Sequence, residues 1–197
     1  MIAIIDYGMG NLRSVSKAFE AVGHQALVTR DKGTIQNASH VVLPGVGAFG
    51  ACMDGLLKLN GDEVIQSRVA AGKPTLGICV GMQILFEHGL ELGKYDGVGA
   101  LGGIVEKLNA PVLPHMGWNT VEIFGESKLF NGIEKESFYF VHSYAVKQAK
   151  VSSWATSDYY GKFLSAVEEG PIAATQFHPE KSGAAGLKLI SNWVESL

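Results

Sequence analysis

The sequence predicts an α/β protein with a central, mostly parallel sheet, flanking helices and antiparallel strands added in its second half. In the first half, short continuous apolar runs alternate with segments of helical periodicity, as in a sheet whose parallel strands are joined by right-handed crossovers. In the second half, short strand candidates are separated by glycine and proline turns with little helix between them. The length and the lack of a linker predict a single domain over residues 1–197.

The first half of the chain is expected to form the parallel core. Its apolar runs predict buried strands at 2–5, 25–29, 40–43 and 75–78. Helical spacing of apolar residues predicts helices over 12–22, from 48 onward, over 62–71 and over 82–86. Asn11 is a suitable cap for the first helix. Because the carboxyl ends of parallel strands lie at one edge of the sheet, Gly10, Gly47 and Cys79 should all fall at that edge.

The second half is expected to add antiparallel strands to the same domain. The candidates are 104–108, 119–123, 138–144, 151–155, 164–168 and 172–177. A final helix over 182–197 should bury Leu187, Ile190 and Val194.

The composition favours a cytoplasmic protein that binds neither nucleic acid nor membrane. Apolar residues make up 47% of the chain, charged residues 18%, and the formal net charge is −3. No apolar stretch is long enough to span a bilayer, and the first residues do not resemble a signal peptide. Cys52 and Cys79 show no pairing pattern, which favours free thiols. The six histidines lack the spacing of metal ligands, and no P-loop or G-x-G-x-x-G motif appears in the context that nucleotide binding requires. Neither a metal nor a cofactor is therefore expected.

The segment G-I-C-V-G around Cys79 predicts a nucleophile on a sharp turn. An apolar strand candidate runs directly into it, and small neighbours on both sides are what a strained, crowded turn needs. A following helix N-terminus would favour the thiolate form of the sulfur. A buried structural cysteine in a glycine-rich turn fits this segment alone about equally well.

The segment Q-F-H-P-E-K-S predicts a base and its orienting acid. Pro179 favours an extended conformation for His178, and residues i and i+2 of an extended chain project to the same side. Glu180 should therefore hold the ring of His178 and leave its other nitrogen for a nucleophile. A histidine before proline is more often structural, but the acid and the cysteine turn reverse that preference.

Attack on an amide also requires N–H donors for the oxyanion. The N–H of Val80, just after Cys79, can be one. The P-G-V-G loop after the third strand, through Val46 and Gly47, can offer a second. Taken alone, that loop is equally typical of a simple strand-to-helix connection.

Together these motifs resemble the class I (triad) glutamine amidotransferases. G-I-C-V-G-M-Q and Q-F-H-P-E-K-S match the nucleophile and His-Glu signatures of that superfamily. The segments I-D-Y-G-M-G-N-L-R-S-V, L-P-G-V-G-A-F, P-H-M-G-W-N and F-V-H-S-Y are similar to the glutaminase subunits of imidazole glycerol phosphate synthases. The resemblance covers essentially the whole chain and implies the flavodoxin-like class I glutamine amidotransferase fold.

The resemblance also implies roles for individual residues. Cys79 would attack the side-chain amide of L-glutamine and form a γ-glutamyl thioester, with His178 and Glu180 handling protons. Gln83, Ser143 and Tyr144 would bind the polar head of glutamine. From the residues alone, Gln83 could instead lie on a helix surface and Tyr144 in the core.

A partner is implied as well. A (βα)8-barrel cyclase subunit would receive the ammonia and make imidazole glycerol phosphate and AICAR in histidine biosynthesis, as one half of a heterodimer. Asn11, Met116, Trp118 and Lys181 would face this partner, although Trp118 could equally be a core residue. Val46 stands where many relatives carry a second glycine, which predicts a loop restricted in peptide orientation and a subunit nearly inactive alone.

Three other functions stay open on the sequence. One is a different triad amidotransferase, such as the glutaminase of pyridoxal-phosphate synthase. Another is an inactive scaffolding subunit, against which the intact Cys79, His178 and Glu180 argue. The third is a cysteine peptidase or other hydrolase on a flavodoxin-like sheet.

Overall fold

A computed structural model describes residues 1–196 and has an eight-stranded sheet at its centre. The strand order is β2-β1-β3-β4-β14-β13-β12-β9. The first five strands in that order run parallel: β2 (Ala26–Thr29), β1 (Ile2–Ile5), β3 (His40–Gly45), β4 (Thr75–Cys79) and β14 (Ile172–Thr175). The other three pair antiparallel: β13 (Lys162–Glu169), β12 (Ser153–Asp158) and β9 (Glu122–Phe124). The prediction of a parallel core with antiparallel additions is therefore confirmed. The strand expected over 172–177 as an antiparallel addition is an exception: β14 pairs parallel with β4, and all four of its residues are buried, as in a central parallel strand.

Two smaller sheets flank the carboxyl edge of the parallel strands. One is an antiparallel pair of β8 (His115–Thr120) and β10 (Ser137–His142). The other has the order β11-β7-β5-β6, formed by Tyr144–Val146, Leu101–Lys107, Phe86–Gly89 and Tyr95–Asp96. The segment expected as one strand over 138–144 is thus two strands in different sheets, broken at Ser143. The segment expected at 119–123 is likewise divided between β8 and β9.

Six helices accompany the strands in the described part of the chain. They are α1 (Leu12–Ala21), α2 (Lys32–Asn37), α3 (Phe49–Leu57), α4 (Gly61–Ala70), α5 (Val80–Gln83) and α6 (Gly183–Glu195). Asn11 caps α1 by accepting a hydrogen bond from the Ser14 N–H. No helix within residues 1–196 is long and apolar enough to cross a membrane.

The helix expected over 82–86 is wrong, because α5 has one turn and Phe86 already belongs to β5. The carbonyls of Ile84 and Phe86 accept hydrogen bonds from Val98 and Gly99. Those carbonyls are consequently unavailable for further helical bonds, and the tertiary pairing overrides the helix propensity of the segment.

The short helix α2 was missing from the prediction. Its sequence K-G-T-I-Q-N contains weak helix formers, but Asp31 caps it by accepting from the Thr34 N–H. Arg68 then fixes the end of α2: its guanidinium is fully buried and donates to the carbonyls of Ile35 and Ala38.

The apolar stripe of α6 is rotated from the expected one. Ile190 is buried as predicted, but Leu187 and Val194 are only partly buried, while Leu189 and Trp193 are fully buried. Trp193 packs edge-to-face on Phe19 of α1 with ring centroids 6.0 Å apart, so the largest side chain sets the helix rotation.

The candidate site lies at one edge of the sheet, where three neighbouring parallel strands end. In the ladder, Gly45 at the end of β3 lies opposite Cys79 at the end of β4. On the other side, Thr175 at the end of β14 lies opposite Ile78. The P-G-V-G loop, the cysteine turn and the segment carrying His178 therefore leave the sheet side by side.

Candidate active site

Cys79 has a strained backbone at the turn between β4 and α5. Its φ is 56° and its ψ is −115°, a conformation that residues with a side chain rarely adopt. Such strain persists only where the surroundings impose it, and it is typical of functional turns. The turn carries the sulfur to the edge of the sheet, and Cys79 is nevertheless only 4% exposed.

The two glycines of G-I-C-V-G are sterically required. A Cβ at Gly81 would lie 1.8 Å from the carbonyl oxygen of Leu43 in β3, and one at Gly77 would lie 2.9 Å from the Gly81 carbonyl oxygen. Gly45 in β3 leaves no room for a side chain either, since a Cβ added there would lie 2.4 Å from the Gly81 nitrogen. The turn packs so closely against β3 that it excludes side chains at these positions.

His178 and Glu180 form a buried pair. His178 is extended, with φ −99° and ψ 98°, and its Nδ1 lies 2.8 Å from Oε1 of Glu180. Both side chains are almost completely buried, at 2% and 1% exposure. The chain is not extended beyond His178, however, because Pro179–Lys181 is a turn of 3-10 helix. The contact thus depends on that turn rather than on the expected i, i+2 alternation of extended chain.

Electrostatics favour the charged form of His178. Burial alone would lower its pKa, but hydrogen bonds with Cys79 and Glu180 outweigh burial and raise the pKa to about 10. A protonated His178 places a positive charge beside the Cys79 sulfur, an arrangement typical of reactive cysteines. Cys52 differs: burial raises the pKa of its thiol to about 11, which keeps it protonated.

A cavity of about 490 Å³ opens above Cys79 and His178. It brings together most of the residues that the sequence singled out, together with several that it did not. The lining consists of Val46, Gly47, Ala48, Cys79, Val80, Gln83, Glu91, Pro114, Val141, His142, Ser143, Tyr144, His178 and Lys181. Glu180 lies behind His178, outside this lining. Gly10 packs against Pro44 next to the loop that forms one wall.

Gln83 is neither a surface nor a freely mobile side chain. It is 3% exposed, and its Nε2 donates to the carbonyl of Tyr144 at 2.9 Å and to Oε1 of Gln176 at 3.0 Å. Both of its N–H bonds are therefore engaged within the protein. Only Oε1 remains for a further partner, so Gln83 can offer a ligand an acceptor but no donor.

Glu91 is a lining residue that the sequence analysis missed. It brings a carboxylate to the cavity, and its Oε2 accepts a hydrogen bond from the N–H of Phe49 at the start of α3. Glu91 lies in a loop after β5 with no motif around it, and only the fold brings it near Cys79.

A chain of neutral side chains supports the wall formed by Ser143 and Tyr144. The Tyr144 carbonyl can only accept, so His142 carries its proton on Nδ1, 2.9 Å away. Its Nε2 then accepts from Nδ1 of His115 at 2.9 Å, and Nε2 of His115 faces Nδ2 of Asn119 at 3.4 Å. Burial lowers the pKa of His142 to about 3 and also lowers that of His115. Hydrogen bonds thus connect the motif P-H-M-G-W-N to the end of β10 near Ser143.

The four residues predicted to face a partner differ in their exposure. Met116 and Trp118 are 62% and 59% exposed, so Trp118 does not belong to the core of this chain. Lys181 is exposed at the rim of the cavity, and Asn11 is occupied as the cap of α1. Among residues 1–196, no group of three or more histidine, cysteine or acidic side chains is placed to hold a metal ion.

Comparison with known protein families and sequences gives a consistent result. The model of the glutamine amidotransferase class-I family matches residues 3–196. The imidazole glycerol phosphate synthase subunit HisH of Mycolicibacterium paratuberculosis is 52% identical, over 100% of this chain and 98% of the relative. HisH of Thermobifida fusca is 51% identical, again over 100% of this chain and 98% of the relative. HisH of Bifidobacterium longum is 48% identical over 98% of each chain.

Solved structures agree on the fold. A crystal structure described as a glutamine amidotransferase matches with a TM-score of 0.77 at 17% identity, covering 99% of this chain and 98% of that one. The structure of PurLQS from Thermotoga maritima matches with a TM-score of 0.76 at 18% identity, covering 99% and 97%.

The neutral histidine chain predicts a loss of stability in acid. Between about pH 6.5 and pH 3 the unfolded chain binds a proton at His142 and the folded chain does not, so the free energy of unfolding should fall as pH falls. The variant His142→Gln keeps an amide for hydrogen bonding but does not titrate, and should show a flatter dependence. Urea unfolding at several values from pH 4 to 7 measures this. Parallel curves for the two proteins would contradict the assignment.

Proposed function

The chain belongs to the class-I glutamine amidotransferases and to the family of the HisH subunits of imidazole glycerol phosphate synthase, and from that premise we propose its reaction. It hydrolyses L-glutamine to L-glutamate and ammonia, and it supplies the ammonia to the synthase partner in histidine biosynthesis. One observation carries the assignment of residues: Cys79 at a strained turn, next to a buried His178–Glu180 pair, beneath a cavity.

Acylation begins with the Cys79 sulfur as a thiolate. It attacks the side-chain amide carbon of glutamine and forms a tetrahedral intermediate with a negatively charged oxygen. The intermediate collapses, the C–N bond breaks, and the imidazolium of His178 gives its proton to the departing nitrogen. The products of this step are ammonia and a γ-glutamyl thioester on Cys79.

Deacylation uses His178 in its neutral form. The ring takes a proton from a water molecule that attacks the thioester carbonyl, and the second tetrahedral intermediate expels the sulfur. Glutamate leaves, and the thiolate–imidazolium pair is restored. Glu180 fixes Nδ1 of His178 and stabilises the charged form of the ring.

The backbone around the turn supplies the oxyanion donors in this proposal. The N–H of Val80 follows the nucleophile directly, and Val46 and Gly47 line the same cavity. The Val46 carbonyl accepts a contact from Sγ of Cys52 at 3.4 Å. In a trans peptide the carbonyl and the next N–H point in opposite directions, so the Gly47 N–H is directed away from Cys52.

The polar head of glutamine fits the opposite wall of the cavity. Its ammonium group would be bound by the carboxylate of Glu91 and by Oε1 of Gln83, the one hydrogen-bonding atom of that amide still available. Ser143 and Tyr144, at the break between β10 and β11, would bind its carboxylate end through backbone and side chain. This arrangement favours a small amino-acid substrate over a peptide.

The partner in this proposal is a (βα)8-barrel cyclase subunit, forming a heterodimer with this chain. The exposed Met116 and Trp118 and the rim residue Lys181 give it an apolar contact and a positive charge beside the cavity. Docking there would cover the cavity, so that ammonia passes to the barrel before water protonates it. The barrel would use it to form imidazole glycerol phosphate and AICAR. Two free, buried cysteines fit a cytoplasmic location.

Replacing Cys79 with alanine should abolish glutamine-dependent turnover. The triad acts as a unit, so we expect a loss on the order of 10⁴-fold or more in glutamate release by the complex. Turnover with added ammonium salts should persist, because the cyclase chemistry lies on the partner. Cys52→Ala is the matched control and should retain glutaminase activity. A Cys79→Ala variant with an undiminished rate would refute the nucleophile assignment.

The isolated chain should hydrolyse glutamine slowly and respond to its partner. Val46 restricts the P-G-V-G loop, so the partner would be needed to aim the Gly47 N–H at the developing oxyanion. A missing oxyanion donor typically costs about 10²–10³ in rate. Adding the barrel subunit and its nucleotide should therefore raise steady-state glutamate release at least about tenfold, near 1.4 kcal/mol. If the free chain already reaches the rate of the complex, the loop is not rate-limiting.

A further inference from the structure

A one-way chain of hydrogen bonds ends at the Cys79 sulfur. It starts at the Tyr144 carbonyl, which can only accept and so fixes the orientation of the Gln83 amide, with Nε2 facing it at 2.9 Å. That same Nε2 donates to Oε1 of Gln176 at 3.0 Å, which fixes the second amide. The remaining end of that amide, Nε2 of Gln176, lies 3.8 Å from Sγ of Cys79. A backbone carbonyl thus dictates that Gln176 presents a donor, not an acceptor, to the sulfur.

Gln176 is buried to an unusual degree for an amide. It is 0% exposed, follows β14 directly, and its own N–H donates to the Ser165 carbonyl at 2.8 Å. Placing a primary amide in the interior is costly unless its groups are hydrogen-bonded. Here the oxygen is satisfied by Gln83, while the nitrogen contacts the sulfur. The reaction described above leaves that nitrogen without a role.

The surroundings of the sulfur favour opposite protonation states. The Val141 carbonyl lies 4.0 Å from Sγ and can accept from the thiol, so it favours the neutral form. The N–H of Gln176 favours the thiolate, because hydrogen bonds to an ionised acceptor are the stronger ones. Of these two uncharged neighbours, only Gln176 stabilises the nucleophilic form.

We propose that Gln176 is a catalytic residue, whose side-chain N–H donates to the Cys79 thiolate. The donor stabilises the sulfur as nucleophile before attack. It stabilises the sulfur again as leaving group when the C–S bond of the second tetrahedral intermediate breaks and the electron pair returns to sulfur. This inference rests on the proposed function, in which Cys79 is the nucleophile, and adds a second stabilising group beside His178.

The test uses iodoacetamide, which alkylates thiolate and does not depend on the glutamine-binding wall. The full chain is alkylated across pH 5 to 10, and the Cys79 peptide is followed by mass spectrometry. In Gln176→Met the alkylation profile of Cys79 should move to higher pH, with alkylation about tenfold slower on the acid limb. The value of kcat/KM for glutamine in the complex should fall at least tenfold. Gln66→Met is the matched control, since Gln66 donates to the Val98 carbonyl and should leave the profile unchanged.

A second variant separates a catalytic role from an anchoring one. Gln176→Glu keeps an oxygen for the Gln83 N–H but replaces the donor to sulfur with a carboxylate oxygen. The alkylation profile of Cys79 should move to higher pH at least as far as in Gln176→Met. Ammonium-dependent turnover of the complex verifies folding of both variants. If either folded variant kept the wild-type pH dependence of Cys79 alkylation, the proposal would be overturned. A raised KM with that pH dependence unchanged would mean that Gln176 only positions Gln83.

The two proposals fail differently. If Cys79→Ala kept glutaminase activity, the proposed function itself would be wrong. If that variant is inactive while the Gln176 variants alkylate like the wild type, the function stands and the role of Gln176 does not.

Discussion

The site depends on one steric constraint, the close packing of the cysteine turn against β3. The Leu43 carbonyl occupies the space that a side chain at Gly81 would need, and Gly45 leaves equally little room on its side. Packed in this way, the backbone of Cys79 is held at a φ of 56°. That conformation directs the sulfur to the strand edge where the loop of β3 and the segment after β14 also end. The strain is local, and the surrounding parallel strands supply the rigidity that maintains it.

A second organising atom is the carbonyl oxygen of Tyr144. It accepts from Gln83, whose amide chain leads to the Cys79 sulfur, and from His142, whose imidazole chain leads to His115 on β8. The same strand β8 carries the exposed Met116 and Trp118. The wall proposed to bind the substrate head is therefore hydrogen-bonded both to the sulfur and to the strand proposed to meet the partner. These contacts give a contiguous physical connection between the two surfaces.

Local sequence patterns predicted the elements that depend on residues close together in the sequence. The apolar runs gave the parallel strands, and the small residues around Cys79 indicated the turn. The helix after Cys79 was overpredicted, because backbone pairing with residues 97–99 replaces helical bonds. Glu91 and the contacts of Gln176 and His115 were not predicted for a common reason: they join residues that are distant in sequence. Gln83 and Gln176 are 93 positions apart, and His115 and His142 are 27 apart.

In the proposed reaction the environment of Cys79, and not merely its thiol, makes it the nucleophile. The chain provides its own comparison, since Cys52 is also a buried free thiol, with a pKa raised by burial to about 11. This difference can be measured by adding a chloroketone analogue of glutamine to the complex and mapping the labelled peptides. We expect one adduct, on Cys79, and protection by excess glutamine. Labelling of Cys52, or labelling that glutamine does not suppress, would contradict it.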